Sequence, residues 1–350
     1  MTGMKKKAEI TIYDISKALK ISASTVSRGL HNNPQVRKEL RKKIIQTANE
    51  MGYQHNKFAA NLRQKNTKTL GVIIPMINSH WQSSVISGME TVANKAGYQL
   101  LISQSEESAE LESANIQALF NSRVDGFLVS LSIETKSLGS FQSIFRRNIP
   151  VVFFDRVLEC PNCVSVVIDN FKAGYEATKH LINQGCKKIV HIGGSLNRNV
   201  YNDRYRGYKL AMADNSLNYD DNSFIITNLR SDDSGIYIVK KLLADGNIPD
   251  GIFAANDNSA VSVICELKKA GLRVPEDVAV VGFNDDPVAK VIEPNLTTVH
   301  YPGRAMGEVA ATTMIRIIEG TQSEKVNSII LSHELIVRKS SLKSGTPVMA

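Results

Sequence analysis

From Thr69 onward the chain repeats one pattern, a short run rich in Val and Ile followed by an amphipathic stretch long enough for a helix. The runs LGVII, YQLLIS, DGFLVS, PVVFF and VSVVI come first, then KKIVHI, SFII, DGIFAA, VAVVGF and SIILSHELIV. Helical periodicity fills residues 80–96, 108–121, 170–184, 203–214, 233–245, 257–270 and 303–319 between them. Apolar runs without in-and-out alternation belong to parallel strands covered on both faces, so an α/β architecture is predicted. About 280 residues is large for one such sheet, and two doubly wound parallel sheets, forming two lobes with a cleft between them, fit better.

The first 66 residues have a different texture. They carry 14 Lys and Arg against four Asp and Glu, a net of +10, while the remaining 284 residues carry 28 basic and 30 acidic groups, a net of −2. Positive charge confined to one small unit is the footprint of a polyanion binder. Apolar spacing at Ile12, Ile15, Ala18 and Leu19 predicts a helix capped by Thr11, and Ser22 caps a second short helix with Val26 and Leu30 inward. After the turn HNNP a third helix runs from about Val36 to Met51 and stops at Gly52. These features describe an all-α helix-turn-helix unit. In that motif the second helix enters the major groove, so Ala23, Ser24, Thr25, Ser27 and Arg28 are the candidate DNA-binding residues, with Arg28 placed for a bidentate contact to guanine. Plain capping and solvation is the competing role for Ser22, Ser24 and Thr25.

Ligands of open α/β sheets bind beyond the carboxyl ends of the strands. The residues there are polar: NSHWQ after LGVIIP, Asp155-Arg156 after VVFF, Asp169-Asn170 after VVI, GGS after IVHI, Asn256-Asp257 after FAA and Asn284-Asp285 after VVGF. Carboxylates and amides take hydroxyls and the single Trp81 covers a C–H surface, a set suited to a sugar or nucleoside. Asp169, Asn170 and Asp257 also stand where helix N-caps are needed, and Trp81 could instead be core.

No run of about 18 apolar residues is present, and Asp14 and Lys17 interrupt the stretch where a signal peptide needs apolar residues, so a cytoplasmic protein with no membrane partner is expected. The four cysteines are too few for a disulfide scaffold, and the C-x-x-C at Cys160 and Cys163 is expected as a pair of reduced loop thiols. Neither G-x-S-x-G, nor a P-loop, nor G-x-G-x-x-G, nor a His pair at metal spacing occurs, so no catalytic residue, metal or cofactor is assigned.

Three segments, TIYDISKALKISASTVSRGL, GYQHNKFAANLR and LRVPEDVAVVGFNDDPVAKVIEPNLTTVHYP, together resemble the LacI/GalR family of bacterial transcriptional regulators, and the similarity covers nearly the whole chain. The resemblance implies a DNA-binding headpiece, a hinge helix and a two-lobed core like that of periplasmic sugar-binding proteins, the chain crossing three times between lobes. By position it puts Ala23, Ser24 and Arg28 on base-reading sites, Asn56, Ala59 and Ala60 in the hinge helix, and Leu62 on the leucine that wedges into the central minor-groove step. It places Trp81, Gln82, Asp155, Arg204, Asn256, Asn284 and Asp285 on effector-contacting positions. Two departures stand out: Ser79-His80-Trp81-Gln82 replaces Asn-Pro-aromatic-aromatic, and Gly282-Phe283-Asn284 replaces Gly-aromatic-Asp, an amide accepting less strongly than a carboxylate.

The domains expected are a headpiece at 1–55, a hinge helix and linker at 56–68 and a core at 69–345, with one lobe about 69–166 and 299–326 and the other about 167–298 and 327–345. The function expected is a homodimeric repressor on a pseudopalindromic duplex operator, controlled by a small sugar-like effector between the lobes. Two rivals are a periplasmic-type sugar-binding protein, against which residues 1–66 argue, and a cytoplasmic sugar-modifying enzyme using Asp155, Asp257 or Asp285.

Overall fold

The computed structural model describes residues 10–53, 66–220, 223–227, 234–244, 246, 248–321 and 326–343. Contacts divide the chain into two units, Met1–Thr67 and Lys68–Ala350. The hinge positions Asn56, Ala59, Ala60 and Leu62 lie outside the described residues.

The smaller unit holds α1 (Ile12–Leu19), α2 (Ala23–Leu30) and α3 (Lys38–Glu50). At the start of α1 the Thr11 N–H and hydroxyl both donate to Asp14 Oδ2, at 2.8 and 2.7 Å, and hold that carboxyl below its usual range. Ser22 caps α2 by accepting from the Thr25 N–H at 3.1 Å, as its position before the apolar periodicity suggests. Ile15, Val26, Ile44 and Ala48 fill the three-helix core, joined by Val36 from the turn ahead of α3. Gly29 lets α2 lie against Ile44, whose Cδ1 stands 2.5 Å from where a Cβ would be.

The larger unit contains two six-stranded sheets. The first is built from β1 (Thr69–Ile74), β2 (Gln99–Gln104), β3 (Gly126–Val129), β4 (Val151–Phe154), β5 (Val164–Ile168) and β11 (Ser328–Leu331), all parallel, in the order β11-β5-β4-β3-β1-β2. The second contains β6 (Ile189–Gly193), β7 (Phe224–Ile226), β8 (Gly251–Ala254), β9 (Ala279–Asn284), β10 (Thr297–His300) and β12 (Glu334–Ile336), in the order β12-β10-β9-β8-β6-β7, only β12 running antiparallel. The central strands β3, β4, β6 and β8 are buried along their whole length, as strands covered on both faces must be. The covering helices are α4 (His80–Lys95), α5 (Ala109–Asn121), α6 (Gln142–Arg146), α7 (Asn170–Asn183), α8 (Asn199–Asp214), α9 (Ser234–Ala244), α10 (Asp257–Lys269), α11 (Val288–Val291) and α12 (Gly303–Ile318).

The chain leaves the first sheet after β5, returns after β10 and crosses a third time between β11 and β12. SIILSHELIV is therefore two strands in two sheets, and residues 328–331 pair with β5 rather than joining the second lobe at 327. Helix α8 begins at Asn199, four residues ahead of the sequence expectation, because Val200 and Tyr201 are buried against Ala255 and Ile133. No helix among the described residues is long and apolar enough to cross a membrane.

Each lobe is braced by a close helix pair with glycine at the crossing, α4 against α12 through Gly88 and Gly307, and α7 against α8 through Gly174 and Gly207. A Cβ at Gly307 would overlap the Val85 carbonyl and one at Gly207 the Phe171 carbonyl, backbone atoms that cannot turn aside. Gly307→Ala and Gly207→Ala are each expected to destabilise the core by about 1–3 kcal/mol, read as a lower urea midpoint at unchanged slope.

Candidate functional site

On α2 the exposed side chains are Ser24 and Arg28, with Ala23, Thr25 and Ser27 half-buried on either side of the buried Val26. The Ser22, Ser24 and Thr25 hydroxyls are linked at 2.8 Å, and Arg28 Nε donates to the Ser24 carbonyl at 3.3 Å on its own helix. One face thus carries hydroxyls and a guanidinium, and α2 itself contains no acidic residue. Such a face can present donors to base edges and phosphates.

Between the two sheets lies a cavity of about 1010 Å³. Trp81, Gln82, Asp155, Arg204, Asn256 and Asn284 all line it. Trp81 and Gln82 come from the first turn of α4, just past β1. Trp81 donates through Nε1 to the Tyr301 carbonyl at 3.1 Å and stacks on the Tyr301 ring with centroids 4.4 Å apart. Its ring is part of the apolar core and also a wall of the cavity. Gln82 is 6% exposed, and its Oε1 is buried without a hydrogen-bond partner among the described residues.

Asp155, turned into the cleft after β4 with φ 59°, accepts from the Tyr301 hydroxyl at 2.8 Å and the Ser130 hydroxyl at 3.3 Å. Burial pushes its carboxyl up, opposed by the neighbouring Arg156 guanidinium. Arg204 donates from Nε to Asn170 Oδ1 and from Nη1 to the Ala255 carbonyl, both at 2.9 Å, and lies 3.5 Å over the Phe283 ring. Arg204 is also among the residues lining the cavity. Asn256 caps α10 by accepting from the Ser259 N–H at 2.7 Å while lining the cavity, so its acceptor is already engaged. Asp169 likewise caps α7.

Asp285 is the one candidate not brought to this cavity. It binds Arg338 Nη2 at 2.7 Å and lines a smaller pocket of about 370 Å³ beside His300. The next residue, Asp286, takes the place in the cleft. Left-handed backbone at Asp285 (φ 58°), following φ 119° at Asn284, reverses the direction in which successive side chains leave the strand. The tandem acids before Pro287 signal a turn that could have raised this possibility.

Sequence reading placed Arg156 among the polar strand ends without giving it a role, and missed Tyr201 and Tyr301. Arg156 Nη1 reaches both oxygens of Glu107, at 2.8 and 2.7 Å, and Nη2 reaches the Tyr201 hydroxyl at 3.0 Å, tying one lobe to the other. Asn199 adds two ties, accepting from the Val157 N–H and donating to the Asp155 carbonyl, both at 3.0 Å. Arg198, 1% exposed, donates across to the Thr135 carbonyl, and His80 meets Asp286 at 3.3 Å. No cluster of three or more metal-ligating side chains occurs among the described residues.

Residues 11–56 match the description of bacterial regulatory proteins of the lacI family, and residues 178–341 match that of a periplasmic binding protein-like domain. Catabolite control protein A of Priestia megaterium is 31% identical over 334 residues, spanning 95% of this chain and 99% of that protein. The chain belongs to the LacI family of bacterial regulatory proteins. Another LacI-family relative, the HTH-type transcriptional repressor PurR of Haemophilus influenzae (strain PittEE), is 31% identical over 336 residues, 94% of this chain and 98% of that one. Among solved structures, the complex of transcriptional regulator CelR with cellobiose is 27% identical with a TM-score of 0.72, covering 95% of this chain and 100% of that chain. As a LacI-family member the protein is a DNA-binding transcriptional regulator with an effector-binding core, and not an enzyme.

Behind the cleft, Asp257 accepts from the Thr298 hydroxyl at 2.6 Å and the Asp286 N–H at 2.7 Å, yet burial pushes its carboxyl up to about 7. A carboxyl held above its unfolded value favours the protonated fold, so its contribution is fully present below about pH 4 and is lost as pH rises through about 7. Asp257→Asn is expected to remove that decline, measured as the wild-type minus variant difference in urea midpoint across pH 4 to 8.

Proposed function

We propose that this regulator is a cytoplasmic repressor that binds a pseudopalindromic operator as a homodimer and is controlled by an uncharged, polyhydroxylated ligand in the interlobe cleft. The observation that carries the reading is the pairing, in one chain, of a +10 unit bearing the Ser24 and Arg28 face with a near-neutral core whose cavity offers an aromatic wall and mixed donors and acceptors. Supporting self-association, β2 is an edge strand that leaves Leu101 and Ile102 about 40% exposed. Asn56, Ala59 and Leu62 are proposed to form the hinge that the ligand orders or releases.

The ligand class follows from the lining. Among the described residues, Glu106, Glu107, Glu134, Asp155, Glu266 and Asp286 line the cavity against Arg156, Arg204 and Lys269, and Arg156 is already paired with Glu107. Carboxylates in excess repel a phosphate or a sugar acid and accept hydroxyl protons instead. Trp81 offers the apolar face that a pyranose ring covers, and about 1010 Å³ holds more than one ring. CelR, whose complex contains cellobiose, favours the same class.

Three measurements test this. With an operator selected from random duplexes, Arg28→Ala should cost about 1–3 kcal/mol of discrimination at the guanine it reads and leave nonspecific binding nearly intact; unchanged preference would move recognition off α2. In a thermal-shift panel, neutral di- and oligosaccharides should raise the melting temperature and sugar acids and sugar phosphates should not. Arg204→Ala should abolish the response to the active sugar while DNA binding persists.

A further inference from the structure

The loop joining β4 to β5 carries the sequence VLECPNC, residues 157–163. Cys160 and Cys163 are disulfide-bonded rather than the free loop thiols expected from sequence. The turn itself brings them together: the Cys163 N–H donates to the Cys160 carbonyl at 3.2 Å, leaving the Cα atoms 5.3 Å apart with Pro161 and Asn162 exposed. Cys163 is buried in the first-lobe core and Cys160 is half-buried at its edge. The other two cysteines have no such setting. Cys186 is buried with its thiol pushed up to about 11, and Cys265 stands on α10.

What distinguishes this pair is what precedes it. Three residues before Cys160, the Val157 N–H donates to Asn199, whose amide donates in turn to the Asp155 carbonyl, and Arg156 between them reaches Tyr201. Residues 155 to 157 are therefore the first lobe's grip on the start of α8 in the second lobe, and the same short loop ends in the cysteine pair.

We propose that Cys160 and Cys163 form a thiol–disulfide exchange site for a low-molecular-weight disulfide of the glutathione type, and that their redox state sets how firmly residues 155 to 157 hold α8 across the cleft. The accessible Cys160 thiol loses its proton and attacks one sulfur of the small disulfide, forming a mixed disulfide and expelling one small thiolate. Cys163, after losing its own proton, attacks the Cys160 sulfur and expels the second thiolate. The two protons end on the two released thiols, so the protein pair is oxidised by two electrons and the small disulfide is reduced by two. Closing so short a loop restricts the opened states of the segment, so the oxidised protein holds residues 155 to 157 more rigidly and the reduced protein lets the lobes part more often.

The test uses the full chain and needs neither operator nor ligand. The protein is equilibrated in mixtures of reduced and oxidised glutathione, quenched in acid, labelled with a maleimide and analysed by peptide mass, with hydrogen exchange followed in parallel. The Cys160–Cys163 peptide should pass from two labels to none while Cys265 stays labelled, and exchange in residues 155 to 163 should slow about tenfold on oxidation. A pair that merely staples its own loop would stop there. The proposal requires that exchange also slows at residues 198 to 201, across the cleft. Cys160→Ser, which leaves the buried Cys163 in the core, should lose both responses and Cys265→Ser should keep them. Two labels at every glutathione ratio, oxidation without slowing at 198 to 201, or a response that survives Cys160→Ser would each overturn it.

Discussion

Arg204, only 3% exposed, is the interaction on which the cleft is built. A buried guanidinium is stable only when its N–H groups meet acceptors and its charge is balanced. Here the acceptors are Asn170 just past β5 and the carbonyl of Ala255 just past β8, while Phe283 of β9 supplies the ring beneath the plane. One side chain therefore collects the carboxyl ends of several strands into a single floor. Its charge is favoured by the Tyr301 and Tyr201 side chains and by Asp155 on the other lobe, the last held by the Tyr301 hydroxyl at the second crossover. Burial lowers the affinity of Arg204 for its proton and raises that of Asp155, whose charge is favoured first by Arg156 and then by the Tyr301 hydroxyl and Arg204.

The rest of the site follows from this floor. Trp81 and Gln82 descend from the first lobe through α4, and Asn284 and Asp286 rise from the second through β9, so a bound molecule touches both lobes at once. Contacts made simultaneously with two walls favour the closed arrangement by their full sum, whereas an open cleft keeps only one wall's share. The ligand's effect on lobe angle is thereby written in where the polar groups stand. The charge ledger of the lining then selects among molecules that could bridge the walls, because anionic groups meet carboxylates on both sides.

Much of this was legible in the sequence, and what was not has definite causes. Helix caps at Thr11 and Ser22, buried strands and polar strand ends are local properties, set by spacing and side-chain chemistry within a few residues. The exchange of Asp285 for Asp286 was hidden because it depends on left-handed backbone at two successive non-glycine residues, which residue type alone does not announce. SIILSHELIV reads as one apolar run, and only pairing with β5 and β10 shows that Ser332 and His333 separate two sheets. The early start of α8 needs Ala255 and Ile133 to bury its first turn. The ties made by Arg156 and Asn199 join residues more than 40 positions apart, beyond the reach of any local pattern.

Those ties are unevenly distributed, and that matters for how the lobes can move. Four of them, from Arg156, Val157, Asn199 and Arg198, cluster where β4 ends and α8 begins, while the separate His80–Asp286 pair, between α4 and the turn after β9, faces solvent through an imidazole 61% exposed. Exposed ion pairs contribute little in water, whereas hydrogen bonds shielded from solvent hold their partners in register. Opening should therefore pivot about the Arg156 cluster and part the lobes first at His80. A ligand seated between Gln82 and Asp286 sits on the side that opens, where its contacts have the greatest leverage over the closed state.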